Sequence, residues 1–208
     1  MKYEIREVRE KGKKRKKKYA IFDENGNMIT KEWFDYISPD GLVRGESKYY
    51  IAKKDEKEAI FDVNGNRITE WYDWIDRIGL VGGQSNLYIA KKDKKVAIFD
   101  INGNRITDWY DGIYPEGLVW GQSKYYIARE GNKYAIFDID GKMISPEWYD
   151  GINPVGLVKG QSKYYFAKKN GKMAIFDEKG NMITPEWFDE IYLFGGLVSG
   201  DSAYYIAE

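Results

Sequence analysis

The sequence contains no cysteine and no histidine among its 208 residues. Without thiols there are no disulfides and no thiol nucleophile, and without imidazole Ser–His catalysis and nearly every zinc site are excluded. No apolar run reaches the roughly 18–20 residues that span a bilayer, and the first residues lack the apolar core of a secretory signal. An excess of one charge is also missing, since Lys plus Arg and Asp plus Glu both number 33. That balance excludes a globally basic nucleic-acid binder and a globally acidic chain alike. Helical periodicity is absent throughout. The expectation is a soluble, cytoplasmic, monomeric protein with one hydrophobic core and with no membrane segment, metal or cofactor. Aromatic residues, by contrast, are plentiful: 7 Trp, 18 Tyr and 9 Phe.

The aromatics fall in a repeat. Ala-Ile-Phe-Asp begins at Ala20, Ala59, Ala97, Ala135 and Ala174, and Gly-Leu-Val at Gly41, Gly79, Gly117, Gly156 and Gly196. A third marker, Tyr49-Tyr50-Ile51-Ala52, has copies beginning at Leu87, Tyr125, Tyr164 and Tyr204. Five tandem units of about 38–39 residues fill the chain after residue 19, a period that marks repeat architectures. The Tyr-Tyr-Ile-Ala and Ala-Ile-Phe-Asp segments read as short strands joined by polar tips such as residues 53–57. Asn25-Gly26, Asn64-Gly65, Asn102-Gly103 and Asp140-Gly141 then predict type I′ turns, leading to a third strand at Met28-Ile29-Thr30 and its copies. Leu-Val is read as a fourth strand. The fold class is all-β.

Ala20 and Phe22 face one way and Ile21 the other, so each small sheet is apolar on both faces and must be covered on both. Stacked four-stranded sheets of this period predict a five-bladed β-propeller, with an open β-solenoid as the alternative. The chain after the leader starts on a second-strand copy and finishes on the strand that elsewhere precedes it. Residues 197–198, 204–207, 20–23 and 28–30 are therefore expected to form one closing blade from both termini, removing open sheet edges. Residues 1–18 form a basic leader and residues 19–208 a single five-repeat β domain. Within the leader, Tyr3-Glu4-Ile5-Arg6 resembles the first strand; it either adds an outer strand to the closing blade or competes with residues 204–207.

The string Gly-Leu-Val … Ala-Ile-Phe-Asp-x-Asn-Gly-Asn-x-Ile-Thr-x-x-Trp-Tyr-Asp-x-Ile … Gly-Leu resembles the WG (KWG) β-repeat family of bacterial proteins over roughly residues 19–207. Where that repeat has an aromatic-Gly pair, this chain has Tyr19-Ala20, Glu58-Ala59, Val96-Ala97, Tyr134-Ala135 and Met173-Ala174. The resemblance implies a repeat module with no established enzymatic activity and names no ligand. A looser similarity, in blade count and aromatic content only, is to five-bladed lectin propellers.

Several motifs carry polar chemistry. Asp138-Ile139-Asp140-Gly141 looks like a fragment of a calcium loop, but the later carboxylates such a loop needs are missing, and hairpin turns explain it. Asp35, Asp73, Asp111, Asp150 and Asp189 each stand beside an aromatic corner. A glycosidase assembles its two carboxylates once, so five equivalent corners predict structural acids that accept backbone N–H bonds beside a packed Trp. The Gly-x-Ser turns carry Gln84, Gln122 and Gln161, a possible polar ring whose alternative is turn chemistry. The residue before that turn varies on a constant frame (Arg44, Gly82, Trp120, Lys159, Ser199), and repeat proteins place binding chemistry at such positions.

Charge is unevenly placed. Residues 1–19 hold ten Lys/Arg and three Asp/Glu. Lys13, Lys14, Arg15 and Lys16, with Lys53, Lys91 and Lys168 at the hairpin tips, are the candidate polyanion rim; its alternative is a solvated, aggregation-resistant edge. The function expected is a non-enzymatic scaffold that binds a protein or other macromolecule on one face, with Arg44, Trp120, Lys159, Gln84, Gln122 and Gln161 as candidate binding residues. A lectin-like module binding a glycan is the first alternative. Weak, non-specific nucleic-acid or polyanion binding is the second.

Overall fold

The computed structural model describes residues 2–9, 17–192 and 196–208. It is all-β. β1 (Tyr3–Arg9) and β2 (Lys17–Asp23) form a two-stranded sheet. Four three-stranded sheets follow: β3 (Tyr36–Ile37), β4 (Tyr49–Lys54) and β5 (Lys57–Asp62); β6 (Trp74–Ile75), β7 (Leu87–Lys92) and β8 (Lys95–Asp100); β9 (Gly112–Tyr114), β10 (Tyr125–Glu130) and β11 (Lys133–Asp138); β12 (Gly151–Ile152), β13 (Tyr164–Lys169) and β14 (Lys172–Asp177). Contacts group the chain into two compact units, one of Met1–Lys94 with Ile98–Arg105 and the other of Lys95–Ala97 with Ile106–Glu208.

The central hairpin of each sheet repeats one register. Tyr50 stands opposite Phe61 and Ala52 opposite Ala59, as Tyr165 stands opposite Phe176 and Ala167 opposite Ala174. The directly opposed Tyr and Phe rings stack at centroid distances of 5.4–5.5 Å, as in Tyr50–Phe61 and Tyr165–Phe176. This is the cross-strand aromatic pair that stabilises an antiparallel sheet. The small Ala on the same strand leaves room for the neighbouring sheet, and Ala52, Ala59 and Ile60 have no exposed surface. Corner aromatics then join one repeat to the next: Phe34 packs on Phe61 at 5.1 Å in the first unit and Tyr149 on Phe176 at 5.5 Å in the second. Burial on both sheet faces is as the sequence requires.

Three strand assignments differ from expectation. The predicted third strand shrinks to single bridges such as Phe22↔Met28 and Phe61↔Arg67. Leu-Val is a turn, because Gly41 and Gly45 take φ of 78° and 76° and the Gly45 N–H returns to the Leu42 carbonyl. The third ladder instead comes from the aromatic corner, with Ile37 opposite Ala52. The type I′ prediction at Asn-Gly is also corrected. Only the glycine is at positive φ there (Gly26, 83°), and Gly26 N–H bonds the Asp23 carbonyl at 3.0 Å, giving a type I turn closed by a left-handed glycine. Paired positive φ occurs at the polar tips, Asp55-Glu56 and Asp93-Lys94.

The closing blade is likewise corrected at β2. The leader strand β1 takes the place expected for residues 204–207, with Ile5 opposite Ile21 and Arg6 opposite Ala20. This copies the Ile51↔Ile60 and Ala52↔Ala59 register of β4–β5. Bridges to Met28 and Phe34 fill the other side of β2. Residues 204–207 pair with the last corner, through Ile191↔Ala207.

Candidate functional site

Most repeated polar groups are engaged in holding the sheets. The Asp that closes each Ala-Ile-Phe-Asp strand folds the turn after it: Asp62 Oδ1 accepts the Asn64 and Asn66 N–H groups at 2.9 and 2.8 Å, and Oδ2 accepts Asn66 Nδ2. Asp138 does the same with Asp140 and Lys142. Among the described residues no cluster of acids suited to a metal ion occurs.

The corner acids reach forward about twenty residues. Asp73 Oδ2 accepts the Asp93 N–H at 3.0 Å, Asp111 the Gly131 N–H at 2.7 Å and Asp150 the Asn170 N–H at 2.7 Å. Each thus anchors the next hairpin tip where its backbone turns to positive φ. The lysine that opens the strand before the corner joins in, with Lys57 of β5 on Asp73 and Lys133 of β11 on Asp150, both at 2.6 Å. These bonds hold the carboxyls below the usual range: the Lys57 bond leads at Asp73, the Gly131 N–H at Asp111 and the Lys133 bond at Asp150.

The Gly-x-Ser turns tie repeats together. Ser47 Oγ donates to the Val81 carbonyl at 2.6 Å, and Ser123 and Ser162 donate to the Val158 and Val198 carbonyls at the same distance. Gln122 Oε1 accepts the Gly117 N–H at 3.2 Å and Gln161 Oε1 the Gly156 N–H at 3.1 Å. Both glutamines therefore serve their own turns, while Gln84 is exposed. Gly117 fits where no other residue does: φ is 85°, and an added Cβ would lie 2.3 Å from the Tyr125 carbonyl.

The variable positions have separate fates. Arg44 is exposed and pairs with Asp40 four residues before it. Trp120 and Lys159 are half-buried. Of the expected cationic rim, Lys13, Lys14, Arg15 and Lys16 lie outside the described residues. Lys53 pairs with Glu56 at 3.0 Å, while Lys54 beside it and Lys169 beside Lys168 pair with Glu32 and Glu147. Lys91 and Lys168 are exposed on the strands facing Trp74 and Gly151.

Two features escaped the sequence reading. One is a surface groove of about 640 Å³ in the first unit, lined by Glu32, Lys54, Asp55, Lys57, Phe61, Arg67 and Trp71. The Arg67 guanidinium lies over the Trp71 ring at 5.7 Å. The other is Glu58, buried with only 8% of its side chain exposed, which accepts the Ile75 N–H at 3.0 Å and Arg77 Nη2 at 3.1 Å. Its signal was present, since 58 is the one charged residue in the x-Ala slots.

No family model and no curated protein matches this chain. Solved structures do match. The chain is similar to Kluyveromyces lactis Hsv2, with 11% identity, a TM-score of 0.40, and coverage of 83% of this chain and 60% of that one. It is similar to a eukaryotic initiation factor at 13% identity and TM-score 0.47, covering 91% and 53%. With BamB from Moraxella catarrhalis the identity is 14% and the TM-score 0.35, covering 80% and 54%. The chain thus spans somewhat over half the length of each of these structures.

Proposed function

We propose that this protein is a non-enzymatic repeat scaffold of propeller-type blades that binds a protein or another macromolecule on one face. The observation that supports this reading is the employment of the motif chemistry. The corner Asp, the turn Asp and the Gly-x-Ser hydroxyl each hold backbone in successive repeats, whereas Arg44, Trp120 and Lys159 vary on that frame. Binding function rests on such changeable positions over a fixed support. The test is a protein-interaction array with the parent chain and an Arg44→Ala/Lys159→Ala variant. Signals lost in the variant with unchanged circular dichroism uphold the scaffold. Turnover of any glycoside or phosphoester that a single Asp→Asn substitution abolishes would reject it.

A lectin-like reading is favoured by the groove. Trp71 offers an aromatic wall, and Glu32, Lys54 and Lys57 offer charged hydrogen-bonding groups beside it, the mixture of apolar floor and few polar groups that ligand sites use. A glycan array decides, since binding through this groove is lost on Trp71→Ala and kept on Lys159→Ala.

A further inference from the structure

The residue that follows the corner Asp is Tyr36, Trp74, Gly112, Gly151 or Glu190 in successive repeats. In the first two it is a ring opposite a lysine, Tyr36 across from Lys53 and Trp74 across from Lys91. Directly opposed residues of an antiparallel pair share a sheet face, so each ring lies on the same surface as its lysine. In the third repeat the ring is gone and Arg129 takes the space. A Cβ on Gly112 would stand 3.1 Å from Arg129 Nε, and the guanidinium donates to the Asp111 and Gly131 carbonyls. In the fourth repeat neither occupant is present. Gly151 faces Lys168, and a Cβ added at Gly151 would meet only Lys168 Cβ within 4 Å, at 3.7 Å.

The space beside Gly151 is a pocket of about 260 Å³, lined by Tyr114, Ile152, Pro154, Phe166, Lys168 and Met173. The register puts Phe166, Lys168 and Met173 on the face where Gly151 has no side chain. Phe166 is buried, and the Tyr114 ring stands 6.0 Å from Tyr134, so the floor and one wall are fixed by packing. Lys168 is the one charged residue of the lining. It is exposed and makes no ion pair with another described residue. The Asp150 carboxylate, next to Gly151, is engaged by Lys133 and by the Asn170 N–H. The volume exceeds the roughly 150 Å³ that admits benzene and falls short of the roughly 300–1,000 Å³ of drug-sized sites. One ring with a short tail is the size that fits. The Phe166 ring and the Met173 thioether favour an aromatic ring, and the unpaired ammonium favours an anionic tail. We propose that the Gly151 pocket binds a small aromatic carboxylate of the arylalkanoate class. Its ring takes the position that Tyr36 and Trp74 hold in their own sheets, and its carboxylate bonds Lys168 Nζ.

The pocket shares no residue with Arg44, Trp120 and Lys159 or with the Trp71 groove, so its occupancy is independent of binding at those places. The test titrates 3-phenylpropionate into protein labelled with carbon-13 at the methionine methyls. It follows the Met173 resonance, assigned by its disappearance in Met173→Leu. The expected result is a saturable shift, weakened about tenfold or more by Lys168→Met, the loss of one charge-assisted bond. That position is exposed, so the substitution removes the charge without touching the core. 3-Phenylpropan-1-ol, which lacks the charge, and propionate, which lacks the ring, are expected to bind at least about tenfold more weakly. Gly151→Trp, which restores the second repeat's ring, is expected to keep the parent's circular dichroism and to abolish binding. An unshifted Met173 methyl, affinity unchanged in Lys168→Met, or binding retained in Gly151→Trp would overturn the proposal.

Discussion

Tyr50 and Tyr165 bury their hydroxyls without a partner while their rings stack on phenylalanine. Burial pushes both hydroxyls well above the ordinary tyrosine range. The ring contributes packing and the hydroxyl is a cost, so Tyr50→Phe is expected to leave stability unchanged or raise it by about 1 kcal/mol. Urea denaturation of the variant measures this. Glu58 behaves oppositely. Glu58→Ala strips a partner from Arg77 and from the Ile75 N–H and is expected to cost about 3 kcal/mol in the same assay, as breaking a buried ion pair does. The contrast shows what was legible at this scale. Stacking residues announce themselves by aromatic repetition, but a hydroxyl's lack of a partner depends on the neighbouring sheet. Glu58 stood out as a charge, and only the fold brings Arg77 to it from nineteen residues away.

At the scale of the element, the corner Asp joins a strand to the hairpin beyond it. Asp73→Asn keeps an acceptor for the Asp93 N–H and loses the Lys57 ion pair, whereas Asp73→Ala loses both. Amide exchange at Asp93 is therefore expected to quicken more in the Ala variant than in the Asn variant. The pH dependence follows from the same bonds. The carboxyls of Asp23, Asp73, Asp100, Asp111 and Asp150 are held below their ordinary value of 3.8. Their contribution is fully present above 3.8 and is lost as pH falls through the lowered folded values. Lys57 and Lys95 are raised above 10.5 by their carboxylate partners, so their contribution is full below 10.5 and fades above it. Thermal melts from pH 2 to pH 12 are expected to show a plateau between these two declines. The sequence made the central hairpins plain because β-branched and aromatic residues alternate between turn signals. It misplaced the third strand. Met-Ile-Thr and Leu-Val have strand composition, yet glycines at positive φ hold Leu-Val in a turn, and the aromatic corner takes the ladder position instead.

Across the molecule, first-strand copies outnumber second-strand copies, and register decides which one β2 uses. The leader strand fits β2 as β4 fits β5, while Tyr204 and Ile206 are 80% and 66% exposed beside the last corner. Deleting residues 204–208 is therefore expected to remove hydrogen-exchange protection only near Ile191 and Leu197, which bond that segment. A collapse of protection across β1–β5 would mean that both ends share a sheet. The tip lysines largely answer neighbouring acids, so duplex DNA binding is expected to be weak and its salt slope shallow, well short of the roughly −0.9 contributed by each neutralised phosphate. The repeat period was legible because it sits in the chain itself. That Tyr3-Glu4-Ile5 pairs with β2 was not legible, since Tyr204-Tyr205-Ile206 has nearly the same sequence.

The repeat-to-repeat bonds have a consequence for synthesis. Ser47 finds its acceptor at Val81, and Tyr3 meets Asp23 across its hairpin. Each such bond closes a short loop, and short loops form quickly and at low entropic cost. A ribosome adding roughly 5–20 residues per second therefore completes the partner of each repeat within seconds. Each sheet is covered almost as soon as it emerges, and its aromatic faces spend little time open to other nascent chains.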